Sequence, residues 1–325
     1  MPDIDVHALA APVLDPEPRI ESPATVVPIT APSLAPARVP LHPAALHPAV
    51  LVDPRLETLA VVQSLRAQRT PLVTLSARRL EPAVHARSVR RVRVPALAAS
   101  PERWQARLLS LAAQVEPRPV LWVCSEEARA FVADARRMLE PHYDFATPLW
   151  STDTAPLAPD AAIRAALQRG EAAIEVQVVR DAAGRCTGSC ALAWAAVAPP
   201  DVVVTSVASP EVTEQSEMWL ASRAHRGYAR LVWTPNRFGR LALAGASSIP
   251  GAGLALAVLD GVDLPALAHA AAIGDTTCAP QSARLRLVRR LVVADGEDAL
   301  VELPDLEPRD VLARIAAYVR SLVRR

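Results

Sequence analysis

The sequence contains no lysine, because all 35 of its basic residues are arginine. Without lysine a protein cannot form a Schiff base on a lysine side chain, use a deprotonated lysine as a base, or hold a phosphate with a P-loop lysine. The 34 acidic residues nearly balance the arginines, and the net charge is only +1. A chain this close to neutral has no overall field for nucleic acid or an anionic membrane, so we expect neither as a partner.

Cysteine and long apolar runs are scarce as well. The four cysteines, at positions 124, 186, 190 and 278, are too scattered for a disulfide framework, and no further ligands nearby would complete a zinc site. No run reaches the roughly 18 apolar residues of a membrane helix, and the N-terminus does not resemble a signal peptide. The sequence predicts a cytoplasmic protein without a metal centre.

Proline is abundant instead, with nine residues between positions 12 and 43. Each proline removes a backbone donor and favours extended backbone. Residues 1–46 are therefore predicted to form an arm rather than a domain. The arm is either a flexible leader or a polyproline II segment that lies across a partner.

Residues 47–147 alternate short apolar runs with longer amphipathic ones, which is typical of βαβ units and predicts a Rossmann-like lobe. Ser100 is the expected N-cap of a helix that begins at Pro101. The predicted strands are Ala49–Val52, Leu72–Leu75, Val89–Val94 and Val120–Cys124, and the predicted helices are Leu56–Arg69, Pro101–Val115 and Glu126–Leu139.

Residues 148–325 have a different pattern of apolar runs, which predicts an α+β lobe whose first strands are antiparallel. A turn-rich linker, Pro148–Pro159, precedes it, and Asp181–Gly184 is predicted to be a hairpin turn. The predicted strands are Ile174–Val179, Arg185–Trp194, Val202–Val207, Ala229–Trp233, Arg240–Ala244 and a short pair within Ala283–Val293. The predicted helices are Pro210–Ala224, a pair within Leu254–Ile273, and an amphipathic helix from Pro308 to the end.

Several short motifs occur in a fixed order along the chain. They are Val52-Asp53, His85-Ala-Arg-Ser-Val-Arg90, Val123-Cys-Ser-Glu-Glu127, the hairpin Val178–Arg185, Pro199-Pro200, Gly261-Val-Asp-Leu-Pro265 and Ala272-Ile-Gly274. Their order and spacing resemble the ATP-grasp superfamily, specifically its carbamoyl-phosphate-synthase-like carboligases. The resemblance implies an α/β protein with an N-terminal Rossmann-like (pre-ATP-grasp) lobe followed by a reduced ATP-grasp-like α+β lobe. In an active member it also implies ATP and magnesium as cofactors.

The sequence departs from that family at the magnesium ligands. The family holds magnesium with one carboxylate on a strand and a Glu-x-Asn pair on the next strand, because this hard cation needs oxygen ligands. Alignment from Gly227 and Gly261 places Val232, Gly245 and Ser247 at these three positions. The 42 residues from Met218 to Leu259 contain no Asp and no Glu, so a small shift of the alignment does not restore a ligand.

Two further features of the family are missing. The lysines that contact phosphate are absent, and only about 25 residues separate Pro148 from Ile174, where the family has its glycine-rich lid. The chain is therefore predicted to be a degenerate homologue with no catalytic residue. This hypothesis expects no acidic side chain to reach Val232, Gly245 or Ser247 from elsewhere in the chain.

Six residues are the candidates for ligand binding. Asp53, Ser125 and Glu126 lie at the carboxyl ends of predicted strands, where doubly wound sheets bind ligands, although loop polarity explains them equally well. Arg226, Arg230 and Arg240 belong to the acid-free window. They form either a vestigial cleft that binds an anion or a solvated, arginine-rich hairpin.

Three functions remain open from the sequence. The first is an inactive binding or scaffolding subunit, with a protein partner or a second copy of itself, beside an active ligase. The second is an active ATP-dependent carboxylate-amine or carboxylate-thiol ligase whose metal ligands come from elsewhere, such as Glu171, Glu175 or Asp181. The third is a nucleotide or small-molecule binding module that uses only the first lobe.

Overall fold

The computed structural model describes residues 47–78, 83, 89–148, 158–198, 201–275, 280–282, 288–293 and 299–300. Several predictions lie outside these residues: the arm 1–46, most of the linker before Pro159, Cys278, Pro199-Pro200 and the helix from Pro308. Most of the motif from His85 to Arg90 lies outside them too. The fold class agrees with the prediction, because a parallel α/β sheet is followed by a largely antiparallel one.

The first sheet has five parallel strands in the order β3-β2-β1-β4-β5. The strands are β1 (Ala49–Val52), β2 (Leu72–Ser76), β3 (Val89–Arg93), β4 (Val120–Val123) and β5 (Asp144–Phe145). The helices between them are α1 (Leu59–Ala67), α2 (Pro101–Ala112), α3 (Glu126–Asp134) and α4 (Arg136–Leu139), with 3₁₀ turns at Leu56–Thr58 and Leu97–Ala99. Each residue of β1 is buried, as a central parallel strand requires.

The helix predicted over Glu126–Leu139 is two helices, since α3 ends before Ala135 and α4 begins after it. The Ser125 hydroxyl caps α3 by accepting the backbone N–H of Ala128. Ser100 lies at the N-cap position of α2, but its side chain makes no capping hydrogen bond.

The second sheet has eight strands, seven of them in the order β10-β9-β6-β7-β8-β12-β13, while β11 pairs in parallel with β7. The strands are β6 (Ala173–Arg180), β7 (Cys186–Ala198), β8 (Asp201–Ser206), β9 (Gly227–Pro235), β10 (Leu241–Ser247), β11 (Gln281–Ser282), β12 (Val288–Val293) and β13 (Ala299–Leu300). Within the described residues, four helices accompany this sheet: α5 (Pro159–Gln168), α6 (Pro210–Ala221), α7 (Gly253–Leu259) and α8 (Leu264–Ala272). Helix α5, whose first residue, Pro159, is the last residue of the predicted linker, was not predicted from the sequence.

One apolar core joins the two sheets. It contains Leu51 and Trp122 from the first sheet, Leu192 and Val232 from the second, and buried residues of α1, α5, α7 and α8. Separate clusters cover the outer face of each sheet, against α2 and α3 on the first and against α6 on the second. Among the described helices none is long and apolar enough alone to cross a membrane, and α7 with α8 passes that test only as a pair bent by 99°.

Polar contacts also cross the junction between the sheets. The Ser64 hydroxyl on α1 donates to the Asp263 carboxylate at the start of α8. The Tyr228 amide donates to the Ala146 carbonyl at 3.0 Å. The neighbouring Gly227 has φ +83°, and a Cβ there would lie 2.7 Å from the same carbonyl oxygen. Only glycine allows this close approach between β9 and the chain that follows β5.

Candidate functional site

The carboxyl ends of β1 and β4 meet at the point where the strand order of the first sheet reverses. This is the position where open α/β sheets bind ligands. Asp53 follows β1 with φ +50°, and Ser125 follows β4. The Ser125 hydroxyl donates to Asp53 Oδ2 at 2.6 Å, and both residues are buried. The structure thus brings together two of the predicted ligand-binding residues, but as partners of each other.

The remaining charges at this edge are paired as well. Arg55 Nη2 lies 2.8 Å from Asp53 Oδ2 and 3.6 Å from a carboxylate oxygen of Glu127. Glu126, the third predicted residue of the first lobe, accepts from Arg129 Nε at 2.6 Å. The edge is therefore a network that stabilises the starts of α1 and α3, and each acid in it already has an arginine partner.

The three degenerate positions lie side by side on the second sheet. Val232 on β9 is directly opposite Gly245 on β10, and Ser247 is opposite Arg230. The Ser247 hydroxyl reaches Glu126 Oε1 of the first lobe, at 3.5 Å. These positions therefore face the edge of the first sheet that carries Asp53 and Ser125.

The expectation that no acidic side chain reaches these positions is wrong. Glu175 on β6 is directly opposite Val232, so Gly245, Val232 and Glu175 form one row across three strands. The sequence window excluded acids only along the chain, whereas in a sheet the neighbours of a residue come from other strands. Two carboxylates from outside that window, Glu175 beside Val232 and Glu126 at Ser247, therefore stand next to the place where the resemblance puts the magnesium ligands.

Glu175 is held in a buried ionic cluster. It is 0% exposed, and its carboxylate accepts hydrogen bonds from Arg230 Nε at 2.9 Å, Trp194 Nε1 at 3.0 Å and Gln177 Nε2 at 3.1 Å. The Arg230 side chain, 2% exposed, continues to Asp160 on α5 with a bidentate contact of 2.7 and 3.2 Å. Burial raises the pKa of Glu175, and Arg230 opposes that rise. The guanidinium is thus the fixed counter-ion of two carboxylates.

Two glycines of the turn into α7 close over this cluster. A Cβ on Gly251 would lie 2.0 Å from Arg230 Nη1. A Cβ on Gly253 would lie 2.6 Å from Gln177 Nε2 and 2.7 Å from Glu175 Oε2. Backbone therefore packs directly on the charged groups, and the space above them is filled by the chain itself.

The cluster also meets the first lobe. Burial raises the pKa of Glu57, beside α1, and the negative charge of Asp160 raises it further, while Arg230 and Arg55 lower it. The charges at the end of β1 and those on β9 thus influence one another across the junction.

The three predicted arginines of the acid-free window do not converge. Arg230 lies inside the ionic cluster, whereas Arg226 and Arg240 are exposed beyond opposite ends of β9. A nine-residue strand is about 26 Å long. Neither interpretation of these arginines is therefore correct for all of them, because one is a core residue and the other two lie far apart.

Sequence reasoning missed Asp160 and the partnership between Glu175 and Arg230. A signal for Asp160 was present, since Pro159-Asp160 precedes the amphipathic run of α5, as expected for a proline and an acid in the first turn of a helix. In the part of the chain that the structure describes, no three His, Cys, Asp or Glu side chains are grouped so that they could hold a metal ion.

The fold is that of the ATP-grasp superfamily, as the resemblance predicted. N5-carboxyaminoimidazole synthetase from Staphylococcus aureus in complex with ADP aligns with a TM-score of 0.55, 10% identity, and coverage of 76% of this chain and 81% of that one. L-amino acid ligase from Bacillus licheniformis aligns with a TM-score of 0.53 and 10% identity, and the alignment covers 75% of this chain and 78% of that one. Biotin carboxylase from Campylobacter jejuni, in a β-γ-ATP complex, aligns with a TM-score of 0.52 and 11% identity, and the alignment covers 75% of each chain. No protein-family model and no curated protein sequence matches the chain.

Proposed function

We propose that the chain is a catalytically inactive ATP-grasp homologue that acts as a binding or scaffolding subunit, in a biosynthetic pathway and beside an active ligase. The observation that carries this proposal is the buried ion pair of Glu175 with Arg230. It stands next to Val232, where the resemblance places a magnesium ligand.

A magnesium ion and this ion pair compete for the same carboxylate. Magnesium requires near-octahedral coordination by oxygen atoms about 2.0–2.1 Å away and usually keeps several of its waters. A carboxylate offers about four acceptor positions. In Glu175, three of these positions are already occupied by donors, and the carboxylate is not exposed. To bind the ion here, the protein would have to expel the Arg230 guanidinium from a bidentate contact with Asp160.

The other two acids that an active ligase could use are also paired. Glu171 lies before β6 and contacts Arg169 at 2.6 Å, whereas Asp181 lies after β6 and contacts Arg185 at 2.8 Å. Since β6 has eight residues, the two acids are on the order of 25 Å apart. They cannot share one ion with each other.

A protein partner is supported by strand β10, which is the edge of the second sheet among the described strands. Its seven residues, Leu241–Ser247, include no charged residue and no proline. Charged residues, proline and bulges are the usual protection of a sheet edge against pairing with another chain, and of these β10 has only an irregularity of register between Leu243 and Gly245. A β-strand of the partner could add to this edge through backbone hydrogen bonds.

Isothermal titration calorimetry with ATP, in the presence and absence of magnesium, tests the inactive assignment. We expect no magnesium-dependent binding at millimolar nucleotide, in the wild type or in Glu175→Gln. Magnesium-dependent binding to the wild type would contradict the inactive assignment, and its loss in Glu175→Gln would place the metal at Glu175. Binding that needs no metal and is lost in Asp53→Asn would establish a nucleotide module on the first lobe.

Co-purification tests the partner. We expect an ATP-grasp ligase from the same cell extract to bind the wild-type chain and to be lost from Ala244→Lys, which places a charge in the middle of β10. Ala113→Lys, a charge at the exposed end of α2, is the matched control. Equal recovery with both variants would show that β10 is not the contact.

A further inference from the structure

A cleft opens at the end of the first sheet opposite to Asp53 and Ser125. It has a volume of about 350 Å³, which is at the lower end of the range for small-molecule sites. Asp144, on its wall, is opposite Val120, the first residue of β4. The cleft therefore lies at the amino ends of the parallel strands, whereas Asp53 and Ser125 lie at their carboxyl ends. It is separate from the ionic cluster and from the positions of the family's metal ligands.

The charged side chains on its walls are three arginines and two acids: Arg118, Arg136, Arg226, Glu140 and Asp144. Both acids already have partners, because Arg118 Nε lies 3.3 Å from Asp144 and Arg136 Nη2 lies 3.1 Å from Glu140. The third arginine, Arg226, is exposed and leaves the cleft with one positive charge in excess. Its guanidinium can present two parallel N–H groups to an anion.

Most of the other residues that line the cleft are apolar. Beside Tyr143 and Gly227 they are Phe145, Pro148, Ala182, Ala271 and Ala272. The last two belong to the C-terminal end of α8, where carbonyl groups would repel an anion. Two of those carbonyls, on Ala270 and Ala271, are occupied by the amides of Asp275 and Gly274.

From this combination we infer that the cleft is a binding site for a small organic carboxylate, with Arg226 holding the carboxylate group and the apolar wall holding the hydrocarbon body. The apolar wall distinguishes this ligand from an inorganic anion. An inorganic phosphate could use Arg226 but would leave Phe145 and Pro148 exposed to water.

Calorimetric titration of the full chain, at constant ionic strength, tests the site with three probes. Sodium benzoate has both the charge and the apolar body, benzamide has only the body, and inorganic phosphate has only the charge. We expect benzoate to bind with a millimolar dissociation constant, and each of the other two probes to bind at least about 10-fold more weakly. Absence of benzoate binding up to 20 mM, or equal binding of benzoate and benzamide, would overturn the inference.

Two arginine variants locate the site. Arg226→Gln should weaken benzoate binding about 10-fold or more. Arg237→Gln, which removes the same charge from the exposed turn beyond the far end of β9, should bind benzoate like the wild type. Arg136→Gln, on the opposite wall, should weaken binding by a smaller factor, because Arg136 is shared with Glu140. Equal effects of Arg226→Gln and Arg237→Gln would show that only the overall charge matters, and would refute a site in this cleft.

Discussion

The two lobes both bury charged side chains, but they neutralise them in different ways. In the first lobe, the Asp53 side chain is 6% exposed and is bound by the neutral hydroxyl of Ser125 and by Arg55, whose side chain is 23% exposed and open to water. In the second lobe, the side chains of Glu175 and Arg230 are 0% and 2% exposed. A charge that loses its partner near the surface can be solvated by water, whereas one in a dry core cannot. The second lobe should therefore depend more strongly on each of its charged groups.

The largest effect is expected from Arg230→Met. This change leaves Glu175 buried without its counter-ion, and removing one member of a buried pair costs about 3–5 kcal/mol in the free energy of unfolding. Urea denaturation of the variant and the wild type measures the loss.

The double variant Glu175→Met/Arg230→Met is the control for that prediction. Removing both charges from a buried pair is close to neutral when the replacements fill the space. The double variant should therefore recover most of the lost stability. Asp160→Asn should cost about 1 kcal/mol or less, because the Asp160 side chain is 64% exposed. A double variant as unstable as Arg230→Met alone would show that packing, and not charge, decides the effect.

His225, in the turn between α6 and β9, gives the second lobe a dependence on pH. Burial, together with the nearby charge of Arg180, lowers the pKa of His225 to about 4 from its ordinary value of 6.5. As the pH falls, the unfolded chain is protonated first, so stability is fully present above pH 6.5 and is lost between pH 6.5 and 4. The shift corresponds to about 3 kcal/mol.

Thermal unfolding between pH 4 and 8 tests this prediction. The stability difference between the wild type and His225→Gln should change by about 3 kcal/mol across the window, because the variant cannot take up the proton. Subtracting the two curves removes the contribution of the acids, which titrate in both proteins. A pH-independent difference would show that His225 is not buried in its neutral form.

The contrast between the lobes also explains what the sequence could and could not predict. The strands of the first lobe follow from local apolar runs such as Ala49–Val52, and the position of Ser125 follows from the acids that come after it in the first turn of α3. These signals are local, and the structure has the elements within a few residues of the predicted bounds.

The ionic cluster could not be predicted in the same way, because its members are far apart in the sequence. Arg230 is 55 residues from Glu175 and 70 from Asp160. Only the register of β6 against β9 places Glu175 opposite Val232. That register results from packing across the sheet, which a pattern along one strand does not contain. The sequence contains no acid between Met218 and Leu259. That fact did not predict the composition of the site, because the acid beside Val232 comes from another strand.

Apart from the control variants, the smallest effect on the free energy of unfolding is expected in the first lobe, from Ser125→Ala. The variant loses the helix cap, in which the Ala128 amide donates to Ser125 Oγ at 3.1 Å, and also loses the hydroxyl that donates to Asp53. Loss of such a cap costs about 1 kcal/mol, and Arg55 still pairs with Asp53. Ser125→Thr keeps a hydroxyl and should retain most of the stability.

Ser100 supplies the matched control for Ser125, because it lies at the same position of α2 without a capping hydrogen bond. Ser100→Ala should therefore change the free energy of unfolding by less than about 0.5 kcal/mol. If Ser125→Ala were as costly as Arg230→Met, the first-lobe network would be as dependent on each partner as the dry cluster, and solvent access would not be what separates the two lobes. If Ser125→Ala instead matched Ser100→Ala, Arg55 alone would be sufficient to hold Asp53.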